Sequence, residues 1–161
     1  MGLDPGSRVT GYGVVESHAG EVRYVASGCI RIGDAAFPVR LKRIFDGVSE
    51  LTALYAPESI AVEQVFMHKN ADSALKLGQA RGAAICAAMR HGADVYEYAA
   101  RQVKLALAGT GAADKRQVQH MVKILLAIQG EMPLDASDAL AVALCHCQLR
   151  QTELRLRRAG L

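Results

Sequence analysis

Apolar residues recur along the chain with two different periods, and these periods separate strands from helices. Residues 9–16 (VTGYGVVE) and 21–32 (EVRYVASGCIRI) are rich in valine, isoleucine and tyrosine, and the short linker SHAG joins them. This pattern predicts a β-hairpin. From Phe37 to about Tyr55 the apolar positions recur at intervals of three and four residues. That spacing predicts an amphipathic helix that ends at Ala56-Pro57.

The rest of the chain alternates between short apolar runs and helical patterns. A short apolar strand that ends at Asp4 precedes the hairpin, and SIAVEQV (59–65) and DVYEYA (94–99) predict two further strands. Helices are predicted over 72–91, 100–107, 114–128 and about 136–150. A hairpin followed by strands that alternate with helices predicts one α/β domain over 1–161, with a mixed five-stranded sheet flanked by helices. A short basic tail is expected from about residue 149.

The helix predicted over 72–91 carries small residues four positions apart, at Ala74, Gly78, Gly82 and Cys86. Small side chains let another backbone approach closely. Two interpretations follow, in which this face packs either on the protein's own sheet or on a second subunit.

Composition and charge narrow the class of protein. The chain of 161 residues is 51% hydrophobic and 22% charged, as in ordinary globular proteins, and no apolar run approaches the roughly 20 residues of a membrane span. Asp4 and Arg8 interrupt any signal-peptide core, so we expect a cytoplasmic protein without membrane attachment.

The net charge of +3 is modest, but basic residues cluster within 40–43, 101–123 and 150–158. Such clusters suit a polyanionic partner such as nucleic acid, and the alternative is that they are simply solvated faces.

The four cysteines predict no metal site. Cys145-His146-Cys147 has the composition of a ligand cluster, but residues i and i+2 of a helix do not face each other. The interpretation we favour is that the cysteines are small buried hydrophobic residues in a reducing compartment.

Four acidic residues stand in unusual places. Asp4 ends the first strand in a stretch, Asp-Pro-Gly, that is also typical of a plain turn. Glu63 lies inside an apolar strand, where a carboxylate is costly unless it is paired, binds a metal or faces an edge. Asp135 and Asp138 open the last helix, either as a capping box with Asp135 as N-cap or as two ligands on one helical face.

A cluster of these four carboxylates would require a cation, because like charges in contact raise one another's pKa. Hard oxygen ligands suit Mg²⁺ or Mn²⁺, and the cytosol supplies mainly Mg²⁺. Two such ions about 4 Å apart activate water and stabilise the leaving oxygen in phosphodiester hydrolysis. The acids together with nearby lysines therefore predict a nuclease.

Four motifs in order resemble the RuvC family of crossover junction endodeoxyribonucleases. They are GLDPGSRVTGYGV at 2–14, IAVEQVF at 60–66, KNADSALKLGQARG at 69–82 and DASDALA at 135–141. The resemblance implies an RNase H-like fold and a homodimer that nicks two opposing strands of four-way (Holliday) DNA junctions symmetrically in recombination and repair. It also implies Mg²⁺, with two ions per subunit and Mn²⁺ as a substitute, and a branch-migration complex of RuvA and RuvB type as a partner.

The same resemblance assigns roles to individual residues. The metal-binding catalytic acids of the family fall on Asp4, Glu63, Asp135 and Asp138. Among basic residues, Lys104 looks like a DNA contact and Lys115 like a catalytic stabiliser of the phosphate that also contacts DNA, with Arg116 beside it on the DNA. Phe66 corresponds to an aromatic residue that holds junction bases unpaired, although a loop phenylalanine is also typical of a core plug.

The chain also departs from the family pattern. Family members carry a few more residues before the aspartate, so either the natural start lies upstream or the sheet accommodates a short first strand. The segment LRQTELRLRRAG matches no family feature. Two other classes of protein compete. One is a junction-binding module without catalysis, against which the presence of all four acids argues. The other is an actin-like nucleotide-binding protein or kinase, for which the chain is short and lacks P-loop spacing.

Overall fold

One mixed sheet with helices on both faces forms the fold of the computed structural model, which describes residues 1–64 and 70–160. Phe66 lies outside the described residues. The elements in chain order are β1 (Gly2–Pro5), β2 (Val9–His18), β3 (Glu21–Arg31), α1 (Phe37–Tyr55), β4 (Ser59–Glu63), α2 (Ala71–Met89), β5 (Asp94–Tyr98), α3 (Ala100–Ala108), α4 (Lys115–Leu125) and α5 (Leu134–Arg158). The strand order is β3-β2-β1-β4-β5. The predicted five-stranded mixed sheet is therefore confirmed.

Helix α1 has the predicted bounds, whereas α5 does not. Helix α1 stops where Ala56 takes a left-handed conformation, with φ of 42°, immediately before Pro57. The predicted end of the last helix near residue 150 is wrong, because α5 continues to Arg158. Glu153 pairs with Arg150 and Arg157, three and four positions away, and such pairs stabilise a helix.

The short strand β1 is central because it pairs on both sides. It runs antiparallel to β2, from Gly2 opposite Gly13 to Pro5 opposite Thr10, and parallel to β4. Strand β4 is in turn parallel to β5. Parallel pairing places the carboxyl ends of β1, β4 and β5 at one edge of the sheet, where ligands of open α/β sheets bind.

Side chains of alternate residues in the central strands pack into two different hydrophobic cores, one on each face of the sheet. Ile60 and Val62 pack in the core under α1 and α2, whereas Ala61 between them packs in the core under α3, α4 and α5. Helix α2 buries Ala80, Ala84, Ala87 and Ala88.

The small-residue face of α2 does not pack on the protein's own sheet, so that interpretation is wrong. Gly78, Gly82 and Cys86 are all exposed, and a Cβ added at either glycine would meet nothing within 4 Å. No helix in the described part of the chain is long and apolar enough to cross a membrane.

His146 links α5 to strands β4 and β5 through hydrogen bonds. Its Nε2 lies 2.8 Å from the Ser59 hydroxyl and its Nδ1 lies 2.7 Å from the Tyr98 hydroxyl, and the ring packs against that of Tyr96 at an interplanar angle of 43°. Burial lowers the pKa of His146 to about 4, with smaller contributions from the amino terminus and Arg150. Both ring nitrogens are thus engaged, and His146 acts as a neutral bridge.

The cysteines are less uniform than predicted. Cys145 is buried, and burial raises the pKa of its thiol to about 11. Cys29 and Cys147 are half-buried and Cys86 is exposed. The prediction of buried cysteines holds for Cys145 and is wrong for Cys86.

Candidate active site

Two of the predicted acids lie at the ends of neighbouring parallel strands. Leu3 of β1 is in register with Val62 of β4, so that Asp4 and Glu63 are the next residues of each strand. Side chains alternate between the faces of a sheet, and Ala61, two residues before Glu63, packs on the α5 side. Both carboxylates therefore project towards α5.

Helix α5 reaches these carboxylates because glycines let it lie directly on the sheet. A Cβ at Gly2 would stand 2.0 Å from the carbonyl oxygen of Ala139, and a Cβ at Gly11 would stand 2.0 Å from that of Asp135. Gly11 is also the register partner of Asp4. Sequence reasoning missed this role, although glycines at alternate strand positions, here Gly11 and Gly13, are a signal of close backbone approach.

The other two acids lie in the first turns of α5. Its N-cap is Pro133, which supplies no side-chain capping bond, and Asp135 already lies within the first helical turn. The interpretation of Asp135 as N-cap is therefore wrong. Asp135 and Asp138 are three residues apart on one face, and the contact at Gly11 sets that face against Asp4.

Burial and crowding raise the pKa of the two strand carboxylates, Asp4 and Glu63. Burial and, after it, the charges of Asp138, Glu63 and Asp135 together raise the pKa of Asp4 to about 7. The pKa of Glu63 is also raised, first by burial and then by Asp138, and is lowered in part by Lys115 and Lys104. The site is an anionic cluster that attracts either protons or cations.

Lys115 supplies a positive charge within the cluster. Its Nζ lies 2.9 Å from Oδ2 of Asp138, and this hydrogen bond raises the pKa of Lys115. The residue begins α4, whose preceding Asp114 forms a capping box with Gln117. Because the cap fixes the start of α4, it also fixes the backbone position from which the Lys115 side chain extends.

The other predicted basic residues lie further out. Lys104 of α3 is half-buried and near enough to lower the pKa of Glu63. Arg116 follows Lys115 on the exposed first turn of α4. The structure thus brings together five of the predicted residues: Asp4, Glu63, Asp135, Asp138 and Lys115. Lys104 lies at the edge of this cluster, and Arg116 lies on the adjoining surface.

The donor set is suited to a hard divalent cation. Four carboxylates provide only oxygen ligands, and the pKa of Asp4 is raised by burial and by the three neighbouring acids although Lys115 partly offsets them. Within residues 1–64 and 70–160, no three acidic, histidine or cysteine side chains are already arranged to hold a metal ion.

Comparisons with known proteins agree with this geometry. The family model described as "Crossover junction endodeoxyribonuclease RuvC" matches residues 1–146. Curated RuvC proteins of Methylococcus capsulatus and Tolumonas auensis are 63% and 58% identical, over 98% and 97% of this chain and 95% and 90% of theirs. The structure described as T. thermophilus RuvC in complex with Holliday junction substrate aligns with a TM-score of 0.87 at 35% identity, covering 94% of each chain.

The fold and the acidic site define a nuclease of the RNase H-like class. More narrowly, the chain belongs to the RuvC family of crossover junction endodeoxyribonucleases, since the family model covers 1–146 and the curated relatives match almost the whole chain. The predicted family and fold are therefore confirmed.

Proposed function

We propose that this protein resolves four-way DNA junctions by metal-dependent hydrolysis of two opposing strands in recombination and repair. The observation that carries the proposal is the convergence of Asp4, Glu63, Asp135 and Asp138 from three separate elements upon one edge of the sheet. A half-buried cluster of like charges is costly to maintain, and such clusters concentrate at functional sites. Membership of the RuvC family supplies the substrate class.

The four carboxylates are the proposed ligands of Mg²⁺, two ions per subunit, with Mn²⁺ as a substitute. The family is one of metal-dependent nucleases, and hard oxygen donors favour Mg²⁺ at cellular concentrations. Mg²⁺ in this cluster would supply a water of lowered pKa and neutralise charge on the phosphate. Glu63 and Asp4 hold their oxygens at fixed strand ends, which limits the ligand movement needed for binding.

Lys115 is the proposed stabiliser of the reacting phosphate. Its ammonium neutralises Asp138 in this structure, and its side chain is 71% exposed and so accessible to DNA. With the Asp138 carboxylate engaged by a bound cation, the Lys115 ammonium would be available to a phosphate oxygen. We assign Lys104 and Arg116 to DNA contacts on the same side and Phe66 to stacking on unpaired junction bases.

The exposed small-residue face of α2 is the proposed homodimer contact. Gly78 and Gly82 leave open space above the helix, and the nearby Leu75 and Met89 are 67% and 58% exposed. A two-fold dimer would present two active sites to a junction of matching symmetry.

We further propose that the protein acts in the cytoplasm as one domain and binds a branch-migration complex of RuvA and RuvB type.

Nick mapping on a four-way junction tests this proposal. Each strand is labelled in turn, and the protein is incubated with the junction and with a matched linear duplex, with and without Mg²⁺. We expect paired nicks at symmetric positions in two opposing strands, only on the junction and only with Mg²⁺. Asp138→Asn should bind the junction without nicking it, whereas the exposed control Glu131→Gln should nick normally. Binding by the unaltered protein without nicks would refute the proposal.

A further inference from the structure

The hydrogen-bond ladder between β1 and β4 is interrupted beside Glu63. The main-chain N–H of Ala61 donates to the carbonyl of Met1, and the register pairs Gly2 with Ala61 and Leu3 with Val62. In a parallel ladder with this register, the donor for the Glu63 carbonyl is the N–H of residue 5. Residue 5 is Pro5, which has no N–H. The sheet therefore leaves the Glu63 carbonyl without a donor from β1.

Arg81 of α2 supplies the missing donor. Its Nε lies 3.1 Å from the Glu63 carbonyl oxygen, and a terminal nitrogen of the same guanidinium lies 2.6 Å from Oε1 of Glu97 on β5. The Arg81 side chain is only 17% exposed. Two bonds in different directions orient the planar guanidinium, which a lysine ammonium cannot reproduce.

This contact acts on Glu63 from the face opposite its carboxylate. Helix α2 packs with Val62 on one side of the sheet, whereas the Glu63 side chain projects to the α5 side. The N–H of Gln64, which belongs to the same peptide group as the Glu63 carbonyl, donates to the carbonyl of Tyr98. The peptide that follows Glu63 is thus bonded through both its carbonyl and its N–H, so that rotation of the strand end is restricted.

We propose that Arg81 is a positioning residue for Glu63, oriented by Glu97, that replaces the ladder bond lost at Pro5. The inference rests on the proposed function, in which the Glu63 carboxylate is a metal ligand. A carboxylate at a strand end keeps its direction only if the backbone behind it is fixed, and groups that orient ligands affect metal affinity nearly as strongly as the ligands. Arg81 has no contact with the reacting phosphate in this role.

The first test is Arg81→Met, which retains an apolar stem and removes every donor. We expect the cleavage rate to fall by roughly 10- to 100-fold and the Mg²⁺ concentration for half-maximal rate to rise, as for other residues that orient ligands. The thermal shift produced by Mg²⁺ alone should shrink in parallel, while junction binding without metal stays unchanged. Arg90→Met, an exposed arginine at the end of the same helix, is the matched control. Unaltered Mg²⁺ dependence in Arg81→Met would overturn the proposal.

The second test is rescue by Pro5→Ala in the Arg81→Met background. Alanine restores an N–H at position 5, which can donate to the Glu63 carbonyl and complete the ladder. We expect the double variant to recover most of the lost rate and Mg²⁺ affinity. A purely structural ion pair with Glu97 predicts no rescue, and that result would overturn the proposal. If Arg81→Met does not fold, Glu97→Gln is measured instead and should show a smaller loss in the same direction, while normal Mg²⁺ dependence in it would count against the proposal.

Glu63→Gln separates this inference from the proposed function. If Glu63→Gln cleaves normally, the assignment of Glu63 is wrong and the role of Arg81 fails with it. If Glu63→Gln is inactive and Arg81→Met equals the unaltered protein, only the positioning role fails.

Discussion

Replacement of Asp4 by asparagine should stabilise the metal-free protein at alkaline pH while abolishing cleavage. The pKa of Asp4 rises from 3.8 to about 7, first through burial and then through the other three acids. Because the folded state holds this proton more tightly than the unfolded state, the free energy of unfolding falls as pH rises from about 4 to about 7. At about 1.4 kcal/mol for each pH unit, the loss reaches roughly 4 kcal/mol above pH 7. Asparagine carries no charge and escapes this loss.

Urea unfolding of both proteins between about pH 4 and pH 8, without divalent metal, measures the effect. Their stabilities should be similar near pH 4, and Asp4→Asn should be the more stable by up to roughly 4 kcal/mol near pH 8. The pKa of Glu63 is also raised. The free energy of unfolding of both proteins should therefore show an additional, shallower decline as pH rises. Junction binding should be retained. Parallel stability curves, or a variant less stable than the unaltered protein at pH 8, would refute the reasoning, and Glu131→Gln serves as the exposed control.

Three further substitutions test separate parts of the site and its support. Lys115→Met should slow cleavage by roughly 100-fold and, without metal, should lower the free energy of unfolding by about 1 to 3 kcal/mol, because it leaves the Asp138 carboxylate, which is only 16% exposed, without its cation; nicking assays and urea unfolding measure the two effects. Gly11→Ala should cost about 3 kcal/mol or more and reduce cleavage, since its Cβ would stand 2.0 Å from the Asp135 carbonyl oxygen; chemical unfolding and nicking assays measure both. His146→Leu should cost about 2 kcal/mol by leaving the Tyr98 hydroxyl without its partner. Because burial lowers the pKa of His146 from 6.5 to about 4, the stability lost by the unaltered protein as pH falls through that interval should be absent in this variant.

Local patterns were sufficient to predict most elements and the candidate acids. The bounds of α1 follow from the period of its apolar residues and from Pro57, both of which act within a few residues. Asp4 and Glu63 stood out because a carboxylate in an apolar strand is costly wherever the strand lies. The resemblance of four motifs to the RuvC family then suggested roles for individual residues, which the type of a single residue could not indicate.

Tertiary structure alone decided how these residues are held. The sequence letters allowed Asp135 to be an N-cap, but α5 begins at Leu134 and so includes Asp135 in its first turn, and the contact with Gly11 sets that turn above Asp4. Pro5 is an ordinary turn residue until the register with β4 sets it opposite the Glu63 carbonyl, and Arg81 is an ordinary helical arginine until α2 brings it there. Strand register and helix approach depend on pairings distant along the chain, whereas propensity and periodicity report only on neighbours.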